Sequence, residues 1–239
     1  MAITIASWNV NGSLGNPRKL SAVANQVNAL NADVVIMPEA FRGNIDTVIT
    51  EAVTGTFYAL GYHRLKISRY STSDRDKARA HLMMGRMAMS HPRPVPEARG
   101  RALVSHLYDQ ETGSAIRMFG VDFSSATEPA KLSILRKITH LTKADQPFLI
   151  LGNLATQPAH QLEHPPRPSQ DRLGDMIWEQ LHDNGYTAAV PPNAQPTNLL
   201  SHLAHTSRFD EITAAAHPTR LTRTDILVAT VQAPCDYPC

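Results

Sequence analysis

Several apolar runs in the sequence break off at a side chain that carries oxygen. Asn9 and Asn11 follow the first run, Glu39 ends the second, Asp122 closes a later one, and Asn153 follows "FLILG". Asp210 lies inside "SRFDEI", and Asp225 opens the last apolar run. Residues at the ends of neighbouring strands converge in space, so this set would line a pocket of carboxylates and amides. Hard oxygen donors of that kind suit Mg²⁺ or Mn²⁺. The competing reading for each Asn and Asp is an ordinary turn residue at a strand end. Glu39 is not covered by it, because Glu is not a turn former.

Other chemistry-bearing residues are more dispersed. His160 and His164 have a spacing used by zinc ligands on helices, but "PAHQLEHPPRP" carries too much proline for a secure helix. They are expected to be solvated loop histidines, as are His202 and His205, with a metal or catalytic role as the alternative. Arg64, Lys66, Arg69, Arg75, Lys77 and Arg79 cluster around a polar stretch that also holds Asp74 and Asp76. Such a loop either contacts phosphates or is simply solvated. The two cysteines, Cys235 and Cys239, fall in the closing "CDYPC". They exclude a disulfide framework and fit a reducing, cytoplasmic setting. The segment reads as a frayed tail, with a metal knuckle or a small disulfide loop as alternatives.

The elements that must position these residues follow from apolar periodicity and breakers. "AITIASWNV" (2–10) and "ADVVIMPEA" (32–40) read as buried strands. A helix is predicted from Pro17, with Leu20, Val23, Ala24, Val27 and Leu30 at helical spacing. A second helix is predicted over 45–60 and a strand over "YHRLKIS" (62–68). "SRYSTSDRDKARA" (68–80) reads as an exposed loop. "RALVSHLYD" and "SAIRMFGVDF" flank "QETG" as a hairpin. A helix over 128–143 should bury Leu132, Ile134, Leu135, Ile138 and Leu141. "PFLILGN" is a strand, a long Pro- and His-rich loop follows, and a helix is predicted over 171–184. "SRFDEITAA" and "TDILVATVQ" close the chain as strands.

The 239 residues, 42% of them hydrophobic, suffice for one large core. One domain over 1–239 is expected, with an irregular tail from about 233. No apolar run reaches the ~20 residues needed to cross a bilayer, and the N-terminus lacks the pattern of a signal peptide. A net charge of +2 permits nucleic-acid binding without arguing for it. Helices alternate with strands, yet the middle strands are hairpin-linked. This favours an α/β fold of two mixed sheets, packed face to face with helices outside.

The order of the motifs carries a resemblance. "SWNVNG" at 7–12 and "DVVIMPEA" at 33–40 are similar to the opening motifs of the endonuclease/exonuclease/phosphatase family. "GRMAMSHPRPV", "DQETGSAIRMFGVDF", "LILGNLAT", "PTN…SRFDEI" and "TDI" at 224–226 follow in the family's order. The resemblance implies a four-layer α/β sandwich, DNase I-like, and metal-dependent phosphate-ester hydrolysis. It makes Glu39 the principal metal ligand, with Asp225 near the metal and Asn9 beside metal and phosphate. Asp210 corresponds to the acid that orients the catalytic His, and Arg208 to the basic residue before it.

The departures fall at the phosphate end of the pocket. Asn153 stands where the family has the Asp that handles the attacking water, and an amide cannot accept that proton. Ala155 stands for a phosphate-binding Asn, and Ile226 for the His of Ser-Asp-His. Asp122 stands for a His and is expected to repel a phosphate. Each loss typically costs ~10²–10⁴ in rate. The expectation is a monomeric protein with a catalytically impaired site that binds DNA, RNA or a protein partner. Mg²⁺ or Mn²⁺ binding would be weak or absent. The alternative is an active Mg²⁺-dependent phosphodiesterase or nuclease with a rebuilt site.

Overall fold

The computed structural model describes residues 2–43, 45–70, 78–86, 89–108, 115–124, 126–141 and 148–154, with short strands at 187–188, 203–204, 211–218 and 225–232. The first strand, β1 (Ala2–Ser7), ends before Trp8, earlier than its apolar run suggests. There the chain turns, as Asn9 Oδ1 accepts the Asn11 amide at 2.9 Å and Asn11 takes a left-handed φ of 50°. Helix α1 (Pro17–Leu30) starts at the predicted proline. Asn16 caps it, its Oδ1 accepting from the amides of Arg18 and Lys19. Strand β2 (Val34–Arg42) runs past Glu39, where a stop was expected. Helix α2 (Thr47–Ala59) is capped by Asp46.

Strands β3 (Arg64–Tyr70) and β4 (Arg79–Gly85) extend into the segment read as an exposed loop. Tyr70 and Ala80 are buried, so both ends of that segment belong to the sheet, and 71–77 lie outside the described residues. The short β5 (Arg93–Pro94) precedes β6 (Ala102–Tyr108) and β7 (Ala115–Asp122), which pair antiparallel as the predicted hairpin. Helix α3 (Glu128–Leu141) buries Ile134, Leu135 and Ile138 but leaves Leu141 37% exposed, one turn too far along to reach the core. Strand β8 (Phe148–Asn153) follows. The remaining strands are β9 (Thr187–Ala188), β10 (Leu203–Ala204), β11 (Glu211–Pro218) and β12 (Asp225–Gln232). The helix predicted over 171–184 lies outside the described residues.

Two six-stranded mixed sheets result, in the orders β11-β12-β1-β2-β4-β3 and β5-β6-β7-β8-β10-β9. The alternation of each strand assigns its two faces. Val35, Met37, Leu82 and Met84 point from the first sheet to α1 and α2, where they meet Val23, Val27, Val53 and Phe57. Val34, Ile36 and Met83 point the other way, onto Leu103, Met118, Leu149 and Leu151 of the second sheet. Phe119, Val121 and Ile150 use the far face of that sheet to bury Ile134, Leu135 and Ile138 of α3. Among the described residues the four layers are helices, sheet, sheet and helix. No helix among the described residues is long and apolar enough to cross a membrane.

The strand ends that matter lie at one edge of this sandwich. β1 and β2 are parallel, as are β7 and β8, and β3, β4, β6 and β12 run antiparallel to their neighbours there. Two backbone devices shape the edge. Between the Met37–Leu82 and Phe41–Ala80 pairs, Pro38, Glu39 and Ala40 of β2 face only His81 of β4. This bulge accommodates a proline that has no amide to give the ladder, and it puts Glu39 at a φ of 48°. In β8, Gly152 has a φ of 126°, and a Cβ there would stand 2.1 Å from the Val121 carbonyl oxygen. Gly152→Ala should therefore lower stability by about 3 kcal/mol or more, read as a shift of the urea midpoint. A variant as stable as the parent would show that β8 does not need this conformation.

Candidate active site

Asp122 joins the sheets at this edge. Parity along β7 sends it to the inter-sheet side, with Met118 and Gly120, and it is fully buried. Its Oδ2 accepts the backbone amide of Glu39 at 2.7 Å and the Tyr70 hydroxyl at 2.5 Å, while Oδ1 accepts the Ser124 amide at 3.2 Å. The expectation that Asp122 would confront a phosphate is corrected by this geometry. Its oxygens are turned inward and used to hold the bulge of β2 and the end of β3. Asn153 pairs beside Asp122 across β7 and β8, is equally buried, and its carbonyl accepts the Phe123 amide at 2.8 Å.

Glu39 is 2% exposed, and its carboxylate is shared between two arginines. Arg42 donates from Nε at 2.8 Å and from Nη2 to Oε2, and Arg79 Nη1 lies 3.2 Å from Oε1. Arg79 also donates to Ser124 Oγ at 3.2 Å. Register explains the pairing, because Arg42 and Arg79 are partners across β2 and β4, just beyond the bulge. The loop after β1 closes the arrangement from the other side. Gly12 donates its amide to the Glu39 carbonyl at 2.7 Å, and Asn9, 2% exposed, anchors that loop through Asn11.

Behind Asp122 lies a second layer of polar groups. The Arg101 guanidinium sits 4.4 Å over the Tyr70 ring and donates to the Asp122 carbonyl, and the Asp122 amide donates to the Arg101 carbonyl. Burial, reinforced by the charge of Asp122 and the bond to it, pushes the Tyr70 hydroxyl far above its usual range, so it stays protonated and acts as a donor. His81 packs edge-on against Tyr70 and is 1% exposed. Burial lowers its pKa to about 4, opposed by Asp122 and assisted by Arg101, so the ring is neutral at physiological pH.

The structure thus brings Asn9, Glu39, Asp122 and Asn153 to one mouth. The register of β1 and β12 carries Asp225 to the level of Asn9, two positions beyond the Ser7–Leu227 pair, and Ile226 lies next to it in β12 opposite His217. Ala155, Asp210, Arg208, His160, His164, His202 and His205 lie outside the described residues. Reading the sequence missed Arg42, Tyr70, His81 and Arg101, and named Arg79 only as one of a basic cluster around a polar loop that either contacts phosphates or is solvated. Arg42 lies three residues after Glu39, a spacing that brings two strand residues together only across a bulge, and Arg79 and Tyr70 fall in the segment read as an exposed loop. Among the described residues the donor set does not fit a divalent cation. Both oxygens of Glu39 are engaged by guanidinium groups, whose positive charge repels one, and no three His, Cys, Asp or Glu gather around a point. These residues can bind an anion. Of the uncharged groups, Asn153 is an amide, Tyr70 stays protonated and His81 is sealed in, so none of these three is placed as a proton acceptor.

The neutral His81 makes stability depend on pH. As pH falls, the unfolded chain takes the proton first, near the ordinary histidine value, and the folded state resists until about 4. Stability should be full above about pH 6.5 and should decline toward pH 4, by up to ~3 kcal/mol from this group. Urea unfolding of His81→Asn across that range should show a flatter decline than the parent. Parallel curves would mean that His81 does not carry the effect.

No protein-family model and no curated protein matches the chain. Solved structures do. An endonuclease/exonuclease/phosphatase from Beutenbergia cavernae aligns with a TM-score of 0.72 at 13% identity, covering 97% of this chain and 72% of that one. The endonuclease domain of TRAS1, a telomere-specific non-LTR retrotransposon, aligns with a TM-score of 0.67 at 9% identity over 98% and 99% of the two chains. The AP endonuclease of Leishmania major gives 0.61 at 14% identity over 98% and 88%. Two face-to-face mixed sheets between helices are what these proteins share with it, and the chain has the endonuclease/exonuclease/phosphatase fold.

Proposed function

We propose that this chain is a protein of the endonuclease/exonuclease/phosphatase fold whose hydrolytic site is impaired, and that it works by binding nucleic acid at the mouth described above. The observation that carries the reading is the state of Glu39. The residue that the resemblance makes the metal ligand is held by Arg42 and Arg79 instead. The position expected to handle the attacking water is Asn153, which cannot take a proton. Ala155 and Ile226 extend the same loss toward the phosphate. An arginine-lined mouth favours an anionic ligand over an apolar protein surface. Relatives in fold named as endonucleases support nucleic acid as the ligand class. Mg²⁺ or Mn²⁺ would be held weakly or not at all.

A second reading keeps catalysis. Asn9 and Glu39 are retained and buried, and Asp225 reaches the mouth by register. With Asp210 they would serve a metal-dependent phosphodiesterase whose missing groups come from elsewhere.

The two separate in one set of assays. Pure protein would be incubated with plasmid, single-stranded DNA, RNA and an abasic-site duplex, with Mg²⁺, Mn²⁺ or EDTA, beside Glu39→Ala. The expected outcome is no cleavage above the variant, together with oligonucleotide binding that weakens as salt rises. Cleavage that requires metal and is lost in Glu39→Ala would overturn the proposal in favour of the active enzyme. Neither cleavage nor binding would direct attention to a protein partner.

A further inference from the structure

Arg42 and Arg79 do more than occupy Glu39. A divalent cation on one carboxylate leaves a net charge of about +1. Two guanidinium groups on one carboxylate leave the same. The exchange preserves the field that a phosphate would meet at this edge while changing what supplies it. We infer that the Arg42–Arg79 pair is a metal-independent phosphate-binding site, taking the anionic oxygens of a phosphodiester or a terminal phosphate. This deepens the nucleic-acid reading above and rests on it for the identity of the larger ligand.

The geometry grades from buried to open. The Glu39 side chain is 3% exposed, that of Arg79 19% and that of Arg42 45%. Glu39 thus lies beneath the guanidiniums and fixes them, and Arg42 is the one at the surface. A guanidinium has five N–H donors. Glu39 takes Arg42 through Nε and Nη2, which leaves Nη1 and the second Nη2 hydrogen for another acceptor, and no described residue takes them. Arg79 is anchored twice, by Glu39 and by Ser124 Oγ, and Ser124 is itself held through its amide by Asp122. A fork fixed in this way meets a phosphate with little loss of side-chain freedom. Guanidinium groups donate hydrogen bonds but do not acidify a bound water as a metal does. The site would therefore hold a phosphate ester without attacking it.

The test is an NMR titration of arginine Nε–H resonances in the full-length protein, in EDTA, with inorganic phosphate and with a 5′-phosphorylated thymidine dinucleotide. Saturable shifts of Arg42 and Arg79 are expected with both. Arg42→Gln should weaken binding about tenfold or more, and Arg42→Lys, which keeps the charge without the fork, by less. Circular dichroism would establish that the Arg42 variants are folded, and shifts that persist in EDTA separate the arginine pair from a metal site. The inference is overturned if neither anion shifts these resonances, if the shifts need Mg²⁺ or Mn²⁺, or if Arg42→Gln binds like the parent. Saturable phosphate binding at the pair without oligonucleotide binding would keep the arginine site and reject nucleic acid as its ligand.

Discussion

The bond from the Glu39 amide to Asp122 Oδ2 is the contact on which the site depends. It links two sheets that meet mostly through apolar side chains, which set a distance but little direction, and at this edge also through the Tyr70–Asp122, Arg79–Ser124 and Ser68–Gly100 hydrogen bonds. A buried carboxylate is tolerated only when its lone pairs are taken, and here the takers are an amide in β2, a hydroxyl at the end of β3 and an amide just past β7. The need to satisfy Asp122 therefore fixes three strand ends relative to one another. Arg101 adds a fourth, because its backbone and guanidinium bracket the Asp122 peptide while its charge rests on the Tyr70 ring.

That web is also why Glu39 can sit in a left-handed conformation. A side chain other than glycine pays for such a backbone, and the surroundings hold it there from both sides. Its amide goes to Asp122, its carbonyl to Gly12 and its carboxylate to the arginines. Pro38 opens the bulge, and Gly152 lets β8 pass close to β7 at the same level. The mouth is consequently a rigid construction of backbone and buried polar groups, with Arg42 as its exposed part.

Much of this was legible in the sequence. The apolar runs, the proline at the start of α1 and the ordered motifs gave the layers and the convergence of Asn9, Glu39, Asp122 and Asn153. Period-2 alternation along "AIRMFGVD" also holds the direction of Asp122, on the side of Met118 rather than Phe119, and that signal was passed over in favour of its position at a strand end. What the sequence could not show is register. Arg79 and Tyr70 lie in a polar stretch whose composition reads as loop, and only the pairing of β3 with β4, and of β4 with β2, makes them strand residues facing the inter-sheet space. The partner of Glu39 was three residues away in Arg42, but a helix-like spacing gives no warning within a strand. The bulge brings them together.

The shared grip on Glu39 bears on how such a chain could change over generations. Replacing Asn153 with Asp would put a carboxylate in β8, but it would leave Glu39 bound to Arg42 and Arg79. Removing both arginines without supplying a cation would strand a buried negative charge, which is strongly destabilising. Glu39, Arg42 and Arg79 are therefore coupled, and an exchange at any one of them leaves a charge of the other two short of its partner.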